Sequence, residues 1–160
     1  IAHNSQGHIL IVDAHHRTIR ILEEDGRPLM SIPAGASDTS EPSFSDPHYI
    51  AINYDDNILL SDWTAPHVKV FTPEGRSIKQ WMQEELAIQP HGICTDTQGC
   101  IMLADNQRHR VLLLSPDGRL IRTLVNKEHG LWHPMALTIS PLGYLVVTEA
   151  LGRVKVFKYK

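Results

Sequence analysis

A pattern of about forty-three residues recurs along this chain and limits what it can fold into. "QPHGICTDTQGCIMLADNQRHRVLLLSPDG" spans 89–118. "DPHYIAINYDDNILLSDWTAPHVKVFTPEG" precedes it at 46–75, and "HPMALTISPLGYLVVTEALGRVKVF" follows at 133–157. A clipped copy, "IAHNSQGHILIVDAHHRTIRILEEDG", opens the chain. Several registers agree independently. Pro47, Pro90 and Pro134 are 43 and 44 residues apart, and Asp13, Asp62, Asp105 and Glu149 close the second apolar run of each copy. Gly26, Gly75 and Gly118 close the turns. The one long gap is "AGASDTSEPSFS" (34–45), which reads as a loop insertion rich in small and polar residues. A period of this length marks a repeat architecture.

Within a copy the apolar runs are short. In the third, "GICT", "CIMLA", "RVLLL" and "LIRTLV" are separated by "DTQG", a polar loop and "SPDG". Runs of four to six residues bounded by Gly, Pro, Asp or Asn are strands. "EEDG", "TPEG" and "SPDG" are β-turn sequences, in which Gly tolerates positive φ. No segment carries a capped 3.6-residue period, so almost no helix is expected. Four antiparallel strands per repeat describe a propeller blade, whose faces are covered by stacking on its neighbours. The expected fold is therefore an all-β propeller of four-stranded antiparallel blades. The blades fall approximately at 1–33, 46–82, 89–126 and 133–160. A β-sandwich also has many short strands, but it does not require this register.

Composition narrows the function. The hydrophobic fraction of 42% suits a globular domain, and no apolar run approaches the ~18 residues of a membrane helix. No signal or transit peptide is visible, and two cysteines in 160 residues, Cys94 and Cys100, fit a reducing, cytoplasmic compartment. A disulfide across the hairpin they flank is conceivable. No Cys/His spacing suggests structural zinc. A net charge of −3 argues against bulk nucleic-acid binding, though not against a local basic face.

These residues resemble the NHL repeat: a proline opening the first strand, a turn glycine, an apolar strand ending in Asp, then an "RV-x-V-F" strand. Pro90, Gly99, Asp105, Asn106, Arg110 and Val111 match it in the third copy. Asp62, Val68, Val70, Phe71 and Gly75 match in the second, and Pro134, Gly143, Arg153, Val154, Val156 and Phe157 in the last. Two departures are "WTAPH" after Asp62 and Glu149 in place of Asp. WD40 blades fit less well, since no Gly-His…Trp-Asp signature recurs. Ile1 aligns with Ile50, Ile93 and Leu137 in mid-strand, and the last copy stops after a third strand. The resemblance implies about three and two-thirds blades of a six-bladed ring, the C-terminal part of a longer protein. A closed four-bladed ring is the weaker alternative. It further implies the propeller of a tripartite-motif (TRIM) E3 ubiquitin ligase, whose RING and oligomerising segments would lie outside this chain. Such a propeller selects a protein substrate or an RNA.

In a propeller the loops between second and third strands share a face with the connections between blades. The former hold His15, His16, Arg17, Trp63, His67, Arg108, His109, Arg110 and Arg153; the connections add His48, His91, Trp132 and His133. An acidic chain thus gathers Arg, His and Trp on one face. Arg and Trp dominate protein-binding hot spots, and basic groups among aromatics also suit single-stranded RNA. The binding candidates are His15, His16, Arg17, Trp63, His67, Arg108, His109, Arg110, Trp132 and Arg153. Structural roles compete. The strand-closing acids can accept hydrogen bonds from the tight loop that follows, the recurring Arg110 and Arg153 can pair with them, and His48 and His91 can be packed. Catalysis has little support: there is no Gly-x-Ser-x-Gly elbow and no phosphate-cradling glycine loop. No cofactor and no metal are expected. The alternatives to a recognition domain are a metal-dependent propeller lyase or lactonase, or a pure scaffold. The expected partner is a protein or ubiquitination substrate, or single-stranded RNA, with no membrane.

Overall fold

The computed structural model describes residues 1–33, 44, 46–63, 65–82 and 88–159. It is an all-β propeller of four blades. The first holds β1 (Ala2–His3), β2 (Ile9–Asp13), β3 (Thr18–Leu22) and β4 (Pro28–Pro33). The second holds β5 (Pro47–Ile52), β6 (Ile58–Asp62), β7 (His67–Phe71) and β8 (Ser77–Met82). The third holds β9 (Pro90–Thr95), β10 (Ile101–Asp105), β11 (Arg110–Leu114) and β12 (Leu120–Val125). The fourth holds β13 (Pro134–Ile139), β14 (Tyr144–Glu149) and β15 (Val154–Lys158), a three-stranded sheet among the described residues. Each sheet is antiparallel and its strands lie in chain order. The single helical feature described is one 3-10 turn, Lys127–His129, capped by the Asn126 side chain.

Three apolar cores hold the blades together, one per junction. Leu10, Ile19 and Ile32 meet Ile50, Ile58 and Phe71 between blades one and two. Leu59, Val68 and Val70 meet Ile93, Leu103 and Leu112 between two and three. Met102, Ala104 and Val111 meet Leu137, Leu145 and Val147 between three and four. Burial follows from this arrangement. Every residue of β6 and β10 is buried, because these strands are covered on both faces. Strands β3 and β14 alternate instead, and Val154 and Val156 on β15 are about 60% exposed. Blades one and four thus each present a face that no described core covers.

The insertion expected over 34–45 lies outside the described residues except for Phe44. That residue is no solvated loop position. It is fully buried and packs edge-on against Phe71 at 6.0 Å in the first junction. One aromatic in a polar stretch carries no periodicity, so pattern alone does not reveal the anchor.

The expected turns form, with Gly26, Gly75 and Gly118 at φ of 84–88°. At Gly26 an added Cβ would meet nothing within 4 Å, whereas at Gly118 it would lie 2.5 Å from the Trp81 indole. Gly26→Ala is expected to cost only the left-handed backbone penalty of about 1–2 kcal/mol. Gly118→Ala should cost about 1–3 kcal/mol more, because Trp81 must move. Urea denaturation of both variants checks the difference.

Candidate functional site: the face of strand ends and blade connections

The acid closing each second strand grips the chain entering that blade. The Asp62 carboxylate accepts the Asp46 N–H (3.2 Å), Asp105 that of Gln89 (3.2 Å) and Glu149 that of Trp132 (2.7 Å). The backbone returns the contact: Trp63, Asn106 and Ala150 donate to the carbonyls of Asp46, Gln89 and His133. Asp13 accepts from its own following loop, at His16 N–H (3.0 Å), as expected of an acceptor for the tight loop. In Asp62, Asp105 and Glu149 the carboxylate orders the incoming connection.

These carboxylates are buried at 0–4% exposure and need a cation. Arg110 pairs with Asp105 at 2.9 Å. In the last blade Lys155 takes that role, 3.3 Å from Glu149 and also bonded to the Gly130 carbonyl, while Arg153 is exposed. In the first, Arg20 reaches Asp13 at 2.7 Å. Strand pairing explains the change of residue. Arg20 and Lys155 sit at the register of Leu112, which is a core position in the third blade, so Arg110, two residues earlier, supplies the charge there. Arg110 is thus an internal ion-pair partner, not an exposed contact. Replacing Asp105 with Ala should cost about 3–5 kcal/mol by leaving Arg110 uncompensated. Removing the exposed Asp25, paired with Arg27 at 2.7 Å, should leave stability nearly unchanged. Chemical denaturation distinguishes the two.

Gripping the connections brings two aromatic clusters onto the face. At the junction of blades two and three, Trp63 (41% exposed) lies against His91, ring centroids 4.4 Å apart, with the His48 ring 5.3 Å away. His48 lies 3.1 Å from Asp46, and Tyr49 flanks His91. At the next junction Trp132 (48% exposed) lies 4.9 Å from His109, with the Lys127 ammonium 5.2 Å from its ring. His109 is buried. Its Nδ1 accepts the His133 N–H (2.9 Å), so Nε2 carries the proton in the neutral ring. Asn106 completes this cluster, its amide donating to the Pro134 carbonyl and its oxygen facing His133 Nδ1 at 3.2 Å. Asn106 and Tyr49 were not among the candidates, and their place becomes evident only once blades are stacked.

The remaining candidates lie apart from these clusters. His15, His16 and Arg17 are exposed on blade one, where His16 pairs with Asp13. Arg17 and His109 share one loop register and the same left-handed φ of 52°. Arg108 is exposed beside the second cluster. His109 is buried, and His67, the first residue of β7, is half-buried with its Nε2 enclosed.

Burial holds the imidazoles of His67, His91 and His109 below their ordinary pKa. Lys69, His48, and His133 with Lys127 add to the respective effects, opposed in part by Asp62 at His67 and by Asp105 at His91 and His109. All three are neutral in the folded state at pH 7, and the unfolded chain binds their protons first as pH falls. Stability is therefore expected to decline from about pH 7 downward through these depressed values. This window lies above that of Asp13, Asp25, Glu74 and Asp117, whose carboxyls hydrogen bonds hold below the usual range. Among the described residues, neither buried His91 ring nitrogen has a hydrogen-bond partner. His91→Phe should consequently keep or raise stability at pH 7 and make the decline between pH 7 and 5 shallower. Urea midpoints across pH read this directly.

Cys94 and Cys100 are not joined in a disulfide, and burial first, then Asp96, pushes the Cys94 thiol up to about 12. Among the described residues no group of three or more His, Cys, Asp or Glu side chains is placed to hold a metal ion. No described helix is long and apolar enough to cross a membrane.

No family model matches the sequence, and no curated protein does. Solved structures match through the fold. A protein of unknown function from Bacteroides caccae aligns with TM-score 0.75 and 18% identity over 98% of this chain and 61% of its own. Virginiamycin B lyase from Staphylococcus aureus aligns with TM-score 0.68 and 12% identity over 97% and 53%. Kuenenia stuttgartiensis hydrazine synthase aligns with TM-score 0.71 and 13% identity over 99% and 45%. The chain spans about half the length of these structures, and what they establish together is that it has a β-propeller fold.

Proposed function

We propose that this chain is a non-catalytic recognition domain whose partner docks on the face carrying Trp63 and Trp132. The observation that supports this is the placement of two half-exposed indoles at successive blade junctions, each backed by a buried histidine. Rigid aromatic platforms supply large contact area at low entropic cost, and Trp and Arg lead among hot-spot residues. A protein partner is the primary reading. On the NHL resemblance, the domain is the targeting module of a TRIM-type ubiquitin ligase acting in the cytoplasm, which a chain with two cysteines and no disulfide between them suits. Single-stranded RNA is the second reading, favoured by the exposed Arg17, Arg108 and Arg153 at the same strand ends of their blades.

Trp63→Ala and Trp132→Ala are each expected to weaken the partner at least about tenfold, the loss of a single hot spot. Titration against a captured protein substrate and against a randomised single-stranded RNA pool, across a salt series, tests this. RNA binding that falls steeply with salt and with Arg108→Ala would favour RNA. Unchanged affinity for both ligands in both tryptophan variants would remove this face from consideration.

A further inference from the structure

The opposite face, where the other turns lie, holds a second feature. A cavity of about 210 Å³ opens between blades one and two. Leu10, Ile21, Leu29, Met30 and Ile58 give it an apolar lining, and Asp56, Glu74 and His8 are its titratable lining; no Lys or Arg lines it.

The next junction shows how this corner is otherwise filled. Strand pairing places Met30 at the register of Lys79, opposite Ile21 and Val70 respectively. Ile32 likewise takes the register of Trp81. The turns beneath correspond too, with Pro73-Glu74-Gly75 matching Pro116-Asp117-Gly118. Gly75 faces the Ile32 side chain as Gly118 faces Trp81. Between blades two and three, Lys79 lies over the Trp81 ring, 5.2 Å from its centroid. The Asp117 carboxyl is held low by Ser115 first, then by Arg119 and Lys79. That junction thus carries its own ammonium on an aliphatic stem beside an acid. The first junction keeps the acid, as Glu74, and replaces the lysine with methionine.

A second acid is added there at a cost. Asp56 stands at φ 59°, where the other three copies have Gly7, Gly99 and Gly143. Its carboxylate takes the Ser5 N–H (2.9 Å) and hydroxyl, which fixes it across the junction. Asn4 is already committed, its oxygen accepting two backbone N–H groups and its amide meeting the His8 ring. Two carboxylates over an apolar floor repel phosphate and attract a cation with an apolar stem.

We infer that this cavity takes the side chain of a lysine presented by a protein partner, its stem on Leu10, Ile21, Ile58 and Met30 and its ammonium between Asp56 and Glu74. The inference does not depend on the tryptophan face. It is tested by following the methyl resonances of Ile21, Ile58 and Met30 while N-acetyl-lysine methylamide is titrated, with N-acetyl-norleucine methylamide as the neutral isostere. Saturable shifts at millimolar concentration, the range for so small a ligand, are expected for lysine, and at least about tenfold weaker ones for norleucine. Glu74→Gln should abolish the preference. Met30→Lys, at a position 37% exposed, should close the site from within by restoring the Lys79 arrangement. No saturable shift, equal response to norleucine, or wild-type lysine binding in a folded Glu74→Gln protein would overturn the assignment.

Discussion

The hydrogen bond from a backbone N–H of an incoming connection to the carboxylate that ends the second strand organises this molecule. It is made by Asp62, Asp105 and Glu149, and it is answered each time by a backbone bond in the other direction. The connection would otherwise bury unsatisfied amides at the point where one blade gives way to the next. At Asp105 and Glu149 a cation built in beside the carboxylate offsets the cost of burying its charge. Arg110 and Lys155 meet that demand from different registers. The position of Trp132, Trp63 and His48 on one face follows from this grip, since all three lie beside the bonded residues.

Much of the fold was legible because a repeat supplies its own controls. A proline, a turn glycine and a strand-closing acid at constant spacing each locate the same strand ends independently, and the strands lie where those marks put them. What was not legible depends on contacts between copies. Phe44 fills a junction from within a polar stretch, and nothing local marks it. Arg110 and Arg153 share a register but not a role, because Lys155 reaches Glu149 first. His109 looked like an exposed loop residue, yet the left-handed turn that Arg17 also adopts folds its ring under Trp132.

The two faces of the ring differ in kind. One carries two half-exposed indoles backed by neutral imidazoles. The other has a recess lined by Asp56, Glu74 and His8, with no Lys or Arg among its lining residues. The difference arises from substitutions at equivalent positions: Met30 for Lys79, Ile32 for Trp81, Asp56 for a glycine. A repeat architecture permits this, since a change in one copy alters a single junction and leaves the remaining ones packed.

The serial arrangement of the three cores has a consequence for motion. Blades two and three are each braced on both sides, while one and four are braced on a single side. In a nearest-neighbour chain of this kind, the free energy of opening is smallest at the ends and rises inward. Amide exchange would therefore be slowest in β6 and β10 and fastest in β2 and β15. The tryptophan platform at the central junction lies on the most slowly opening part of the molecule, whereas the acidic cavity shares a blade with one of its breathing ends.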